Sequence, residues 1–259
     1  MTPDILCTRD GDIAFVTLFN PDKRNAINAA MWRALRERFT AMAADNSLRA
    51  VVVRGEGVNF AAGGDIEEFL VERDTPERAA RYHGEWVAGA LDAIAGCPHS
   101  VVAHIAGACV GGGLEIAASC DLRIAGRSAR FGAPIMKLGF SMYPRELAGV
   151  LALAGPAVTR EILLEGRLLD ASEALAKGLV TRVVDDADLA TEVLATAQRL
   201  ASGAPLVARE HKRQIRLLTA SASTVPGTGD DPCWFLDTAD YAEGMRAFIE
   251  KRAPRFRGE

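Results

Sequence analysis

The first twenty residues, "MTPDILCTRDGDIAFVTLFN", alternate apolar and polar positions with the two-residue period of a strand. An acidic residue stands where a secretory leader would carry a basic one, so the pattern is not that of a signal peptide. "IAFVTLF", Ile13 to Phe19, reads as a strand closed by the turn "NPDK". In "NAINAAMWRALRERFTAMAAD" the apolar positions Ile27, Met31, Leu35, Phe39 and Met42 recur every three or four residues, which predicts a helix. "RAVVVRGEG" is a short continuous apolar run ending in glycine, the signature of a strand covered on both faces. Strand, helix, strand in this order predicts an α/β protein with a buried parallel sheet and helices outside it.

The same reading extends along the chain. "EEFLVERDTPERAARYHGEWVAGALDAIAGCP" is mostly helical after a charged stretch around Asp74 and Thr75. "HSVVAHIAGACVGGGLEIAASCDLRIAG" gives strand, glycine turn, helix and strand again. "ELAGVLALAG" and "AVTREILLEGRLLDASEALAKG" are two helical patterns, and "LVTRVVDD" is a late strand. From about residue 187 the chain reads as helical to its end, apart from a loop from Thr219 to Pro232 that precedes "YAEGMRAFIEKRAPRF". This divides the chain into a core over 1–200 and a C-terminal helical region over 201–259.

Composition narrows the function classes. The 259 residues are 49% hydrophobic and 25% charged, enough for a substantial core. A formal net charge of −4 argues against a general nucleic-acid binder. Five scattered cysteines (Cys7, Cys97, Cys109, Cys120 and Cys233) show no CxxC spacing. They read as small core residues of a reducing, cytoplasmic compartment, with neither a disulfide framework nor a metal site. No run of about 18 apolar residues lacks a charge, so no membrane span is expected.

Two segments carry chemistry. "NFAAGGDIEEF", Asn59 to Phe69, places small residues and two glycines ahead of a helix, where backbone N–H groups approach a ligand with no Cβ intervening. Such donors at a helix start suit an anion or a developing oxyanion, although a plain glycine turn with an Asp cap gives the same pattern. In "HIAGACVGGGLEIAASCD", three glycines open a second helix with Glu115 in its first turn among Leu114, Ile116 and Ala117. Glu115 is there either a dipole partner or a general acid or base retuned by burial. The spacing fits neither GxGxxG nor GxxxxGK[ST], which removes both common nucleotide-binding folds. The two turns, about 48 residues apart, can supply two N–H donors to one carbonyl oxygen.

In combination, "NFAAGGDI", "AGACVGGGLEIAASCDLRIA", "RFGAP", "GLVTRVVD" and "EGMRAFIEKRAPRF" resemble the crotonase (enoyl-CoA hydratase/isomerase) superfamily, from about Ile13 to Phe256. The resemblance implies a spiral of strand–strand–helix turns with a C-terminal helical region that packs subunits into trimers, often dimers of trimers. It also implies an acyl-coenzyme A substrate and no metal or redox cofactor. The positions matching the family's oxyanion donors are Gly64 and Gly112. Coenzyme A contacts are implied at Lys23 and Arg24 for phosphate, and at Ala26, Ala62, Asp65 and Ile66 for pantetheine and adenine. Lys251, in "FIEKR", resembles a C-terminal lysine that reaches coenzyme A.

Hydratases of this family hold one water between two glutamates. Glu115 matches the first; the second position, after Phe-Gly-x-Pro, is Ile135, which transfers no proton. The nearby "SMYPREL" offers Glu146 as a substitute acid, Arg145 as a partner for a substrate carboxylate and Tyr143 as a third polar group. His83 and Glu85 are expected at the surface, and Asp121 in a structural role. Three functions follow: a hydratase-like enzyme using Glu115, an enolate-forming decarboxylase, C–C lyase or isomerase, and a non-catalytic acyl-CoA binder.

Overall fold

The structure is a computed structural model that describes residues 2–220 and 238–259. Cys233 and nearly all of the expected 219–232 loop lie outside the described residues.

The N-terminal strand pattern resolves into a hairpin. β1 (Asp4–Asp10) and β2 (Ile13–Phe19) pair antiparallel from Asp4–Phe19 to Asp10–Ile13, with Gly11 at φ 58° in the turn. A left-handed φ favours glycine, which has no Cβ to clash. β1 is the sheet edge and buries little besides Ile5, which explains its polar composition.

α1 (Ala29–Ala44) packs Met31, Trp32, Leu35 and Phe39 inward, as the periodicity predicts. Ile27 does not belong to it. Asn28 caps the helix by accepting the Met31 N–H at 2.8 Å, which leaves Ile27 in extended backbone bridged to Gly64. β3 (Ala50–Gly55) buries Ala50 to Val53 completely, as expected of a parallel interior strand. The helical stretch after Asp65 is broken into α2 (Ile66–Glu72), α3 (Pro76–Arg81), a π-helical turn (Tyr82–Val87) and α4 (Ala88–Gly96).

The strand–strand–helix repeat then becomes explicit. β4 (Ser100–Ile105), β5 (Ala108–Val110) and α5 (Gly112–Ser119) form one turn; β6 (Leu122–Gly126), β7 (Arg130–Gly132) and α6 (Pro144–Arg160) form the next. β8 (Leu169–Asp170), α7 (Ala171–Ala176), β9 (Arg182–Val184), α8 (Leu189–Ala201), α9 (Pro205–Ala220) and α10 (Ala239–Glu250) complete the chain. The larger sheet has the order β1-β2-β3-β4-β6-β9, parallel after the first pair; the smaller is β5-β7-β8. Each turn of the spiral sends its first strand to the large sheet and its second to the small one. This is the spiral that the sequence resemblance implies.

Three short strands, β5, β7 and β8, lie within stretches read as turns or helix. Two or three residues are too few to show a period. Pro144–Glu165 is long and apolar enough by composition to span a membrane, and the helix breaks at Gly155 (φ 70°), before Pro156. The C-terminal segment is helical only to Glu250. Lys251 turns to φ 54°, and the residues after it fold back, with Arg49 Nη2 donating to the Phe256 carbonyl at 3.4 Å and the Arg257 and Gly258 N–H groups donating to Asp240.

Candidate active site

Backbone pairing brings the two glycine turns together. Ala61 bridges Cys109 in parallel: the Ala61 N–H donates to Ala108 O at 2.8 Å, and the Val110 N–H to Ala61 O at 3.0 Å. Three residues further along each segment stand Gly64 and Gly112. A Cβ on Gly112 would lie 3.5 Å from the Gly64 nitrogen and 2.9 Å from the Trp32 ring; one on Gly64 would meet the Phe69 ring at 2.8 Å. Neither glycine N–H is taken by a backbone carbonyl among the described residues. At Gly112, the first residue of α5, that is the normal state of a helix start. Two unused N–H donors therefore sit side by side on one wall of a cleft.

The cleft encloses about 700 Å³ of space continuous with solvent. Trp32, Phe69, Tyr82 and Ile135 contribute its apolar wall, and Glu115 and Glu146 both line it. Glu115 is buried, and desolvation followed by the charge of Glu146 pushes its carboxyl well above the usual carboxylate range. Glu146 is buried as well, in the first turn of α6, where its Oε1 meets His83 Nδ1 at 2.6 Å. His83 is therefore not the surface residue expected. It sits in the π-helical turn, 8% exposed, stacked on Tyr143 with ring centroids 5.4 Å apart. A π-turn adds a residue to the helix register and frequently marks a functional site.

The other candidates separate into groups. Ala62 and Ile66 line the cleft beside Gly64. Asp65 caps α2 by accepting the Glu67 N–H, and takes an ion pair from Lys23 Nζ at 2.8 Å; Glu67 takes a second at 2.7 Å. Arg24 has φ 51° and an exposed side chain, and its carbonyl accepts the Ala62 N–H at 3.0 Å, which ties the "NPDK" turn to the first glycine turn. Ala26 is buried under that turn, its carbonyl bonded to Asn20. Arg145 does not line the cleft: it is exposed, paired with Asp92 and donating to Gly84 O. Lys251 is exposed at the end of α10, and Glu85 is exposed on the π-turn. Asp121 joins elements, accepting the Val101 N–H and the Lys212 ammonium, both at 2.7 Å. The described cysteines are free, and the described residues hold no His/Cys/Asp/Glu cluster able to bind a metal.

Known proteins resemble this chain over nearly its whole length. The family model "Enoyl-CoA hydratase/isomerase" matches residues 8–259. The chain belongs to the enoyl-CoA hydratase/isomerase family. A probable enoyl-CoA hydratase of Mycobacterium tuberculosis is 34% identical over 255 residues, covering 97% of each chain. A mouse mitochondrial dienoyl-CoA isomerase is 31% identical over 254 residues, 93% of this chain and 77% of that protein. Among solved structures, an enoyl-CoA hydratase/carnithine racemase from Magnetospirillum magneticum superposes with a TM-score of 0.95 at 49% identity, covering 98% of this chain and 96% of that one. Both a hydratase and an isomerase stand at similar identity, so family membership makes this an acyl-CoA-processing enzyme of the crotonase superfamily and leaves the reaction to the side chains of the cleft.

Proposed function

We propose that the protein is an enoyl-CoA hydratase-type enzyme in which Glu146 replaces the carboxylate missing at Ile135. The supporting observation is that Glu115 and Glu146, both buried, face one cleft beside Gly64 and Gly112 and are coupled electrostatically. The Gly64 and Gly112 N–H groups would receive the thioester oxygen and stabilise the enolate, a contribution of about 3–4 kcal/mol per donor. Glu146, oriented by His83, takes a proton from the water whose oxygen bonds to the β carbon. Glu115, whose burial favours the protonated form, then delivers its proton to the α carbon as the enolate collapses. Water thus adds as a hydroxyl and a hydrogen, and a proton remains on the carboxylate pair for return to Glu115.

Coenzyme A would lie across Ala26, Ala62, Asp65 and Ile66, with Lys23 and Arg24 toward its phosphates and Lys251 as a more distant contact. Lys23 would first have to give up part of its double ion pair with Asp65 and Glu67. A homotrimer, alone or as a dimer of trimers, is part of this reading, supported by the exposed apolar side chains Leu151, Leu164 and Leu168.

The test is crotonyl-CoA hydration by the purified protein and its E115Q and E146Q variants. Loss of about 100-fold or more in kcat with either variant supports the pair. Full activity of E146Q removes Glu146 from the mechanism. The apolar wall at Ile135 favours a second reading, decarboxylation or C–C cleavage through the same enolate. Turnover of malonyl-type thioesters without hydration of crotonyl-CoA would select it.

A further inference from the structure

The cleft holds donors that no described residue satisfies. Four buried side-chain nitrogen or oxygen atoms lack a hydrogen-bond partner among the described residues; two of them, Trp32 Nε1 and Tyr82 OH, line the cleft, and a third, Arg73 Nη1, lies beside the Phe69 and Phe140 rings. Trp32 and Tyr82 line the cleft directly, each about 1% exposed. The Tyr82 oxygen stands 3.6 Å from the Cβ position of Gly64, beside the oxyanion turn. The Trp32 indole N–H neighbours the Tyr82 oxygen and opposes the rise in its pKa, but the two atoms miss hydrogen-bond geometry. Burial keeps the phenol neutral, so its hydroxyl remains a donor. An unsatisfied buried donor is unfavourable. The Tyr82 hydroxyl is left without an acceptor, which a bound ligand would supply.

Arg73 adds the charge. Its guanidinium lies 4.2 Å from the Phe69 ring centroid and 4.3 Å from that of Phe140, two rings of the cleft wall. Its side chain makes no hydrogen bond or ion pair among the described residues, and its charge is felt at Tyr82 and Glu146. A cation held by aromatic faces and partly removed from water acts over a longer range than one in solvent. Glu146 is the cleft carboxylate whose charge acts on Arg73, and that carboxylate also meets His83.

We propose that the acyl end of this cleft receives a carboxylate, so that the substrate is an acyl-CoA whose acyl chain ends in a carboxylate, with the Tyr82 hydroxyl as donor and Arg73 as compensating charge. This rests on the acyl-CoA reading above and narrows it to one substrate class. Arg145, the sequence's candidate for the same task, is occupied by Asp92 outside the cleft.

Two saturated thioesters of equal chain length, glutaryl-CoA and valeryl-CoA, differ only in a terminal carboxylate against a methyl. Their affinities are measured by calorimetry for the wild type, R73M and Y82F. Glutaryl-CoA is expected to bind at least 10-fold more tightly to the wild type. R73M should abolish that preference and Y82F reduce it several-fold, read as the ratio of the two affinities in each variant, with circular dichroism reporting that the variants are folded. Equal or tighter valeryl-CoA binding by the wild type overturns the proposal and leaves the acyl-CoA reading standing. Persistence of the preference in R73M overturns it too. Should R73M fail to fold, the wild-type comparison decides alone. Binding of neither thioester overturns the acyl-CoA reading itself.

Discussion

His83 Nδ1 and Glu146 Oε1 stand 2.6 Å apart, joining the π-helical turn before α4 to the start of α6. Both side chains are buried, so the contact is sheltered from water and fixes which way the Glu146 carboxylate faces. If His83 donates from Nδ1, an asparagine, whose amide nitrogen lies near the same place, should replace it, and an alanine should not. The expectation is a fall in kcat of about 10-fold or more for H83A, with KM changed less than about 3-fold, and recovery of most of it in H83N. The pH–rate profile checks the assignment: its alkaline and acid limits should move in H83A and return in H83N. A purely structural role would lower Tm in both variants and move neither limit.

Two glycines separate the roles of close approach and helix interior. A Cβ at Gly112 meets the Trp32 ring at 2.9 Å, whereas one at Gly149, within α6, meets nothing nearer than the Ser119 hydroxyl at 4.0 Å. G112A should displace the turn and lower kcat by about 10²–10³, the loss typical of one oxyanion donor. G149A should leave turnover unchanged and stabilise the fold by about 0.5–1 kcal/mol. Steady-state kinetics and denaturant melts of the two variants provide the comparison.

Burial of Glu115 makes stability depend on pH in a known direction. Its folded pKa is raised above the ordinary value of 4.5, so the folded state holds a proton that the unfolded chain releases. That contribution is complete below the unfolded pKa and is lost as the pH climbs toward the folded one. E115Q, which cannot ionise, should match the wild type near pH 4 and exceed it progressively toward pH 8. The gap should open by up to about 1.4 kcal/mol per pH unit. Tm measured across this range for both proteins tests it; equal Tm values at pH 8 would contradict it.

How much of this could be seen in the sequence depended on range. α1, β2 and β3 were legible because their apolar positions repeat over six or more residues and their burial follows that repeat. Ile27 misled because it fits the helical period while Asn28, one residue later, is the cap. Gly64 and Gly112 could be paired on the family pattern, but their contact depends on the Ala61–Cys109 bridge, which spans 48 residues. His83 was the principal miss. A signal for it existed: it shares one helical stripe with Val87, Ala90, Leu91 and Ile94, all buried, and a histidine on such a stripe requires an internal partner. Which partner it had was beyond any local pattern, since Glu146 lies 63 residues away.

Exposed apolar side chains on and after α6 lead to a prediction about assembly. Leu151, Leu164 and Leu168 face solvent in the isolated chain, and little of Pro144–Glu165 is buried. Light scattering on the eluting protein should give three or six times the chain mass of 27.6 kDa. L164D should shift it toward the monomer, and an elution as monomer by the wild type would defeat the trimer.

In the proposed mechanism the polarising half of the site is made of peptide groups, and the proton-moving half of side chains. Gly64 and Gly112 owe their placement to strand pairing at Ala61 and Cys109, to which neither Glu115 nor Glu146 contributes a bond. On that reading, an acid absent at residue 135 can be supplied from residue 146 without disturbing the two glycine turns. Lineages of such a fold can change their chemistry by relocating one carboxylate, since the scaffold preserves the reactive intermediate while the choice of product evolves around it.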